Sequence, residues 1–204
     1  TLSVVVGLGR SGTGAARLLN TQGSKVVVLE QADSEECKQR SAELRAKGIE
    51  VRLGQPLEIT SFEPWLDEMH QVVISPGISW THPTLEALRK RGVNVKGEMA
   101  LAWETLSERP WIGITGTNGK TTVTHLLHHV LSHGGLVAPM AGNVGYSAAE
   151  LALGCLEGST PQPDWVVMEM SSYQIEAAAA VAPRIGIWTT LTPDHLERHG
   201  SCLL

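Results

Sequence analysis

Short apolar runs alternate with longer polar or amphipathic stretches through the first half of the chain. The runs are typical of strands buried on both faces, and they lie at 2–6, 25–29, 49–53, 71–74 and 93–95. Helices are predicted between them, including a small-residue helix after Gly12 and further helices at 33–47 and 84–91. Strands and helices in alternation predict a mostly parallel sheet, with ligands at the carboxyl ends of the strands.

The alternation continues in the second half, which begins with a predicted connecting helix at 98–106. Strands are predicted at 111–115, 136–140, 164–169 and 184–191. The apolar positions after residue 119 follow the helical spacing of a single buried stripe, and they are Val123, Leu126, Leu127, Val130 and Leu131. We therefore expect an α/β chain in two parts, with a first domain at 1–96 and a second at 97–204.

Three histidines lie on the opposite face of the helix predicted after residue 119. They are His125, His128 and His129, and their spacing would allow a metal ion to bind. No carboxylate accompanies them, so a solvated helix face is the favoured interpretation.

Composition and charge narrow the class of protein. Of the 204 residues 42% are hydrophobic and 18% are charged, which is ordinary for a globular protein with an apolar core. The net charge is −5 and no basic cluster occurs, so no nucleic-acid partner is expected. No apolar run approaches the roughly 20 residues of a membrane span, and the three cysteines have neither disulfide nor zinc spacing. These features favour a cytoplasmic protein that does not bind a membrane.

The segment Gly113–Thr122 has the layout of a phosphate-binding loop. A predicted strand leads into a glycine-rich turn, and Lys120 and Thr121 stand where the next helix begins. In such loops backbone N–H groups surround the phosphates, the lysine reaches the outer phosphates and the hydroxyl binds Mg²⁺. The spacing departs from the common one, because the position five residues before Gly119 is Ile114 and the glycines fall at 113 and 116 instead.

A second glycine-rich turn follows the first predicted strand. Gly7, Gly9 and Gly12 give the spacing G-x-G-x-x-G between a strand and a helix, and the next strand leads into Glu30. One interpretation is a Rossmann-like turn that binds a nucleotide, with the acid on a ribose. The other is that the glycines only allow close packing of helix on strand. An NAD(P)-dependent oxidoreductase module is thus one alternative for the chain, although no redox motif follows and a second phosphate loop does.

Polar residues follow four further predicted strands and are expected at the same edges of the sheets. Ser75-Pro76-Gly77, taken alone, is best explained as a plain turn. Asn143 lies between glycines, where it either contacts a ligand or forms a turn. Glu169 ends an apolar strand, and beside a phosphate loop an acid in this place is favoured as a Mg²⁺ ligand. His195 is a candidate metal ligand or acid–base group, and the alternative is an ordinary surface histidine.

Four segments together resemble the Mur ligase family, in the order in which the family carries them. They are Gly113–Thr122, Gly142–Gly145, Met168–Gln174 and Thr192–His195. The displaced glycine in the first of these is the family's own variant of the ATP loop. The amino-terminal G-x-G-x-x-G with Ser75-Pro76-Gly77-Ile78 resembles one branch specifically. The resemblance covers essentially the whole chain and implies a Rossmann-like parallel-sheet domain followed by an incomplete P-loop α/β central domain.

The resemblance also implies a reaction, which is ATP-dependent amide bond formation in peptidoglycan precursor synthesis. ATP phosphorylates the carboxylate of UDP-N-acetylmuramoyl-L-alanine, and the amine of D-glutamate attacks the acyl phosphate. ATP and Mg²⁺ are the implied cofactors, the partners are these small molecules, and we expect a monomer.

Residue roles are implied in the same way. The residues that would bind ATP are Gly116, Thr117, Asn118, Gly119, Lys120, Thr121 and Thr122. Thr121 and Glu169 would hold the first Mg²⁺ and His195 a second, and the residues implied in catalysis are Lys120, Glu169 and His195. The residues that would contact the UDP-sugar substrate are Arg10, Ser11, Gly77, Asn143, Ser171 and Ser172.

The chain also departs from the family pattern. Gln31-Ala32 stands where some members have Thr-Arg, which affects how uracil is held. The family's carbamylated lysine and its carboxy-terminal, D-glutamate-binding domain are not in this sequence, and Ser201–Leu204 does not match the family's continuation. The chain also starts without Met, so we expect a truncated piece that does not turn over alone. A non-catalytic nucleotide-binding role for the piece is the second alternative.

Overall fold

Two parallel sheets organise residues 1–199, the part of the chain that the computed structural model describes. The first sheet contains β1 (Leu2–Val6), β2 (Lys25–Leu29), β3 (Glu50–Arg52), β4 (Met69–Ile74) and β5 (Asn94–Gly97), in the order β3-β2-β1-β4-β5. The second contains β6 (Trp111–Thr115), β7 (Met140–Gly142), β8 (Val166–Glu169) and β9 (Ile185–Trp188), in the order β7-β8-β6-β9. Each pairing between these strands is parallel, so the predicted α/β fold class is confirmed. The mismatch with the family pattern at 201–204 lies outside the described residues.

Helices connect the strands. They are α1 (Arg10–Thr21), α2 (Glu35–Arg45), α3 (Pro83–Lys90), α4 (Glu98–Leu106), α5 (Lys120–His133), α6 (Ala148–Glu157), α7 (Ser172–Glu176) and α8 (Leu196–His199). Ser147 and Ser171 begin α6 and α7 with capping boxes, in which each serine hydroxyl accepts a backbone N–H from the helix. A 3-10 helix also forms at Ile59–Trp65, between β3 and β4.

Two strands have bounds that differ from the predicted ones. The strand predicted at 136–140 is instead Met140–Gly142, because Pro139 has no N–H for a ladder and only its carbonyl accepts from Val167. The last strand stops at Trp188 rather than at residue 191. The residues after Trp188 form hydrogen bonds to the phosphate loop in place of a ladder.

The stripe predicted along α5 is partly wrong. Leu126 and Val130 are 58% and 63% exposed, whereas Thr124 is fully buried. His128 was predicted on the solvated face, but it is half-buried and its Nδ1 lies 2.7 Å from the carbonyl oxygen of Ala138. The face against the sheet is therefore turned about the helix axis toward Thr124 and His128, since packing rather than apolar spacing sets its direction.

One continuous apolar cluster joins the two sheets. It runs from Val5 in β1 through α1, α4 and α6 to Met168 in β8. Gly14 allows α1 to approach α6, because a Cβ there would lie 2.9 Å from the Ser147 hydroxyl and 3.0 Å from Cγ of Glu150. The predicted division after residue 96 falls just before the junction of β5 and α4 and stays a prediction. Within the described residues, no helix has the length and apolar character needed to cross a membrane.

Candidate functional site

A cavity of about 280 Å³ lies at the carboxyl ends of β6, β7 and β8. It brings together the predicted phosphate loop and two predicted residues from other strand ends. The lining residues are Thr117, Asn118, Gly119, Lys120, Thr121, Thr122, Asn143 and Glu169. The topology explains the meeting, because β8 lies between β6 and β7 and ends beside the loop.

The phosphate loop delivers the amino end of α5 to this cavity. Gly119 has the left-handed conformation, with φ +85°, and α5 begins at Lys120 with no side-chain cap among the described residues. Uncapped N–H groups at the first turn of a helix bind anions. The Lys120 ammonium donates to the carbonyl oxygens of Gly116 at 2.6 Å and Thr117 at 3.1 Å, so it lies along the loop.

The residues that follow β9 explain the displaced glycine of the loop. Gly116 has φ +133°, and a Cβ there would lie 2.3 Å from the hydroxyl oxygen of Thr189 and 2.8 Å from the carbonyl oxygen of Thr190. Only glycine combines that φ with so close an approach. Sequence reasoning missed Thr189 and Thr190, and the signal available was a pair of threonines just past a strand end.

These contacts also occupy two N–H groups that were expected to face phosphate. The Thr117 N–H donates to the Thr190 carbonyl at 2.9 Å, and the Asn118 N–H donates to the Thr190 hydroxyl at 2.8 Å. Among the described residues, the N–H groups of the loop that stay available to a ligand are therefore those at its end, from Gly119 to Thr122.

Glu169 is the buried acid of the cavity. Its side chain is 1% exposed, and its Oε1 accepts from the Asn143 amide at 3.0 Å. Its Oε2 is buried and has no hydrogen-bond partner among the described residues. An unpartnered buried carboxylate oxygen is costly unless a cation binds it. Together with the Thr121 hydroxyl it provides the oxygen ligands that Mg²⁺ prefers, so the residues present fit that ion.

Asn143 is held against Glu169 by its backbone as well. The Asn143 N–H donates to the Glu169 carbonyl at 3.0 Å. Gly142 has φ +104°, and a Cβ there would lie 2.1 Å from the same carbonyl oxygen. The loop thus requires glycine at 142, and Asn143 both forms a turn and contacts the acid.

The cavity lining does not include Gly116 of the loop, nor three predicted residues from later in the chain: Ser171, Ser172 and His195. The Ser171 hydroxyl is engaged in the cap of α7, where it donates to Gln174 Oε1 and accepts from the Gln174 N–H. The His195 ring packs 4.9 Å from the ring of Tyr173, with its nitrogens 3.7 Å from Asp194 and 3.5 Å from Glu197. No group of three His, Cys, Asp or Glu is arranged around a metal position in residues 1–199.

The amino-terminal glycine motif is partly explained by packing. A Cβ at Gly12 would lie 1.9 Å from the Gly7 carbonyl oxygen, and one at Gly7 would lie 2.5 Å from the Ser75 hydroxyl oxygen. Gly9 is different, because no described protein atom lies within 4 Å of a Cβ placed there. The space beside Gly9 is therefore open, and a ligand that approaches the backbone closely needs such a space.

The other predicted residues of this first edge differ in their contacts. Arg10 Nη1 donates to the Gly145 carbonyl and so joins the edges of the two sheets. Ser11 and Gly77 lie at the edge and do not line the cavity described above. Glu30 is held by the glycine turn, since its Oε2 accepts from the Leu8 N–H at 2.6 Å and its Oε1 from the Ala32 N–H at 2.9 Å. Both carboxylate oxygens of Glu30 thus accept from backbone N–H groups, whereas the corresponding acid of a dinucleotide-binding protein accepts from a ribose hydroxyl.

Glu98, which sequence reasoning also missed, lies where α4 meets α6. It is 2% exposed, its Oε1 accepts from the Ala149 N–H at 2.5 Å, and its Oε2 is buried without a partner among the described residues. Burial raises the pKa of Glu98 to about 7, although the hydrogen bond from the Ala149 N–H opposes the shift. As an acid in the first turn of a helix it has no distinguishing sequence signal.

Comparisons with known proteins account for almost all of the chain. The model of the Mur ligase MurD-like N-terminal domain matches residues 1–97, and that of the Mur ligase middle domain matches residues 114–203. A UDP-N-acetylmuramoylalanine--D-glutamate ligase of Synechococcus sp. (strain CC9902) is 65% identical over 201 residues, which are 98% of this chain and 44% of that protein. The corresponding ligase of Prochlorococcus marinus (strain MIT 9313) is 63% identical over 199 residues, 98% of this chain and 43% of that protein. The chain thus spans less than half the length of these relatives.

A solved structure shows the same fold. The UDP-N-acetylmuramate:L-alanyl-gamma-D-glutamyl-meso-diaminopimelate ligase from Neisseria meningitides superposes with a TM-score of 0.58 at 19% identity, over 97% of this chain and 62% of that one. The two domain models follow each other in sequence, and each matches a half of the chain that carries its own glycine-rich turn. On these grounds the chain belongs to the Mur ligase family.

Proposed function

We propose that the chain is part of an ATP-dependent ligase that joins D-glutamate to UDP-N-acetylmuramoyl-L-alanine in peptidoglycan biosynthesis. The observation that carries the proposal is that buried Glu169 and the uncapped start of α5 share one cavity. The acid suits a divalent cation and the helix N–H groups suit phosphates, which is what a Mg²⁺–nucleotide needs. The D-glutamate ligases at up to 65% identity support the choice of substrates. In this proposal the enzyme is a cytoplasmic monomer with small-molecule partners.

The proposed reaction has two steps. The γ-phosphoryl group of ATP passes to the carboxylate of UDP-N-acetylmuramoyl-L-alanine, which gives an acyl phosphate and ADP. The amine of D-glutamate then attacks the acyl carbon, so that the amide bond forms and inorganic phosphate and a proton are released. Lys120 offsets negative charge on the transferring group, and the N–H groups of Gly119–Thr122 bind the neighbouring phosphate oxygens.

The metal site of the proposal consists of Glu169 Oε2 and the Thr121 hydroxyl. The Asn143 amide holds the other carboxylate oxygen, which leaves Oε2 for the ion. Bound there, Mg²⁺ supplies neutralisation of phosphate charge. A role of His195 in binding a second Mg²⁺ beside the acyl substrate is also proposed, and it rests on the family resemblance.

The substrate's uridine diphosphate is assigned to the edge of the first sheet. The open space at Gly9 supports a diphosphate close to the backbone, with Arg10, Ser11 and Gly77 beside it. The engaged carboxylate of Glu30 argues against NAD(P) at the same place. Asn143, Ser171 and Ser172 are assigned to the sugar and acyl end of the substrate.

Turnover by the 204-residue chain alone is not expected. The chain spans 44% of the length of a relative that carries the proposed activity in its name. We propose that it binds nucleotide and UDP-sugar but releases no phosphate in response to D-glutamate. A phosphate-release assay with ATP, D-glutamate and UDP-N-acetylmuramoyl-L-alanine tests this, and clear D-glutamate-dependent release would contradict it.

Calorimetric titration with ADP, UDP and NADH, with and without Mg²⁺, tests the proposed ligands. We expect ADP and UDP to bind and Mg²⁺ to strengthen ADP binding. In Glu169→Gln the gain in ADP affinity on adding Mg²⁺ should fall by about tenfold or more, because a metal ligand is lost. The matched control Glu157→Gln changes a charge at the far end of α6 and should keep the gain. Binding of NADH without ADP or UDP would instead favour the oxidoreductase alternative.

A further inference from the structure

The segment after β9 is attached to the phosphate loop by a dense set of hydrogen bonds. We call residues 189–192 the threonine strap. Thr190 accepts hydrogen bonds from two N–H groups of the loop turn. Its carbonyl oxygen accepts from the Thr117 N–H at 2.9 Å, and its hydroxyl oxygen accepts from the Asn118 N–H at 2.8 Å. Thr189 donates its hydroxyl to the Asn118 carbonyl at 2.5 Å. The Thr192 N–H donates to the Thr117 hydroxyl at 3.0 Å, and this hydroxyl lies 3.0 Å from the Thr192 carbonyl.

These bonds are additional to the sheet. The ladder between β6 and β9 ends at the pair Thr115–Trp188, so the strap begins where strand pairing stops. The Thr190 carbonyl also accepts from the indole N–H of Trp188 at 2.9 Å, which fixes it with a second donor. The strap is largely exposed, so its groups would be hydrated if they were not bonded to the loop. The polar groups of the strap are therefore bonded to the loop although they lie at an edge where water could bond them instead.

We propose that the threonine strap is a positioning element for the phosphate loop, and that Thr190 is its principal positioning residue. This inference rests on the proposed nucleotide-binding function of the loop. Thr190 holds the N–H groups of Thr117 and Asn118 away from the cavity, and this fixes the turn that leads into left-handed Gly119 and the first turn of α5. The N–H groups that remain for phosphate are then held in place before the nucleotide binds, which lowers the ordering cost of binding.

The strap also links the loop to the segment that carries His195. Only Pro193 and Asp194 separate Thr192 from His195 in the chain. In this proposal a ligand that orders the loop would also order the beginning of this segment, because Thr192 is bonded to Thr117, and the coupling would be reciprocal.

Valine at 190 keeps the β-branched shape and removes the hydroxyl, whereas serine keeps the hydroxyl. Thr192→Val is the matched control, because Thr192 joins the strap through its backbone and no described residue bonds its hydroxyl. Amide hydrogen exchange of Asn118, measured by NMR without nucleotide, reports on the strap itself. Calorimetric titration with Mg²⁺ and ADP reports on what the strap does for binding.

Thr190→Val removes two hydrogen bonds to Asn118, one from its N–H at 2.8 Å and one to its carbonyl oxygen at 3.1 Å. We expect Asn118 exchange to become faster and the Kd for ADP to rise, each by at least about threefold to tenfold, because one hydrogen bond alone is worth that much. Thr190→Ser should restore both values, and Thr192→Val should leave both near wild type. Unchanged exchange and affinity in Thr190→Val would overturn the inference, as would equal losses in Thr192→Val. Failure of the wild-type chain to bind ADP would instead reject the proposed function and the binding half of the inference, while exchange would still decide whether Thr190 holds the loop.

Discussion

Raising the pH should destabilise the chain through one buried carboxyl group, that of Glu98. In the folded chain its pKa is raised from the ordinary 4.5 to about 7, because burial disfavours the charged form. The protonated group therefore fits the folded chain better than the ionised group does. The perturbation that isolates this effect is Glu98→Gln, since the amide oxygen can still accept from the Ala149 N–H.

The magnitude follows from the two pKa values. A pKa that is raised on folding adds stability that is complete below the unfolded value, near 4.5, and lost as the pH rises through the folded value, near 7. A difference of 2.5 units at about 1.36 kcal/mol per unit gives about 3 kcal/mol. That is a large part of the roughly 5–15 kcal/mol by which domains are stable.

Urea unfolding of the wild-type chain and of Glu98→Gln across this pH range measures the effect. The free energy of unfolding of wild type should fall relative to that of the variant by about 3 kcal/mol between acid and mildly alkaline pH. Other titrating groups cancel in this comparison because both chains contain them. The control Glu43→Gln removes an exposed carboxylate of α2 and should keep the wild-type pH dependence. If wild type and Glu98→Gln show the same pH dependence, the reasoning from burial is refuted.

Two glycine substitutions test the close approaches described above, and a third, at Gly9, is the control. Gly12→Ala should lower the free energy of unfolding in urea by about 2–3 kcal/mol, because its Cβ would overlap the Gly7 carbonyl. Gly9→Ala, with open space at its Cβ, should change it by less than about 1 kcal/mol, and equal losses would contradict this explanation of the motif. Gly116→Ala should raise the calorimetric Kd for ADP by about tenfold or more, because φ +133° and the approach of Thr189 both exclude a side chain. Wild-type affinity in that variant would show that the displaced glycine has another cause.

The order and type of most elements could be predicted from the sequence because apolar runs bounded by glycine and proline identify buried parallel strands. The buried face of α5 could not be predicted, because it depends on how the helix is rotated about its axis against the sheet. The buried side carries Thr124 and half-buried His128, while Leu126 stays exposed. Apolar spacing defines a stripe, and only the neighbouring elements determine where that stripe faces.

The site shows the same division between local and distant information. The glycine turn and Glu169 were predictable because each is a local signal at a strand end. The position of Gly116 is explained by Thr189, which is far away in sequence and unremarkable on its own. Ser171 is a different case, because its hydroxyl caps α7 and its contact with substrate stays a prediction. A hydroxyl at a helix start suits both roles, and sequence alone does not separate them.

The continuous core that joins the two sheets has a consequence for the length of any ligand that bridges them. β5 passes into α4 without a linker, and Gly14 holds α1 directly against α6. Arg10 of the first edge also reaches Gly145, beside Asn143 of the second. These contacts thus fix the distance between the edges of the two sheets. A ligand bound at both edges would have to match that distance, so these packing residues would limit its length without touching it.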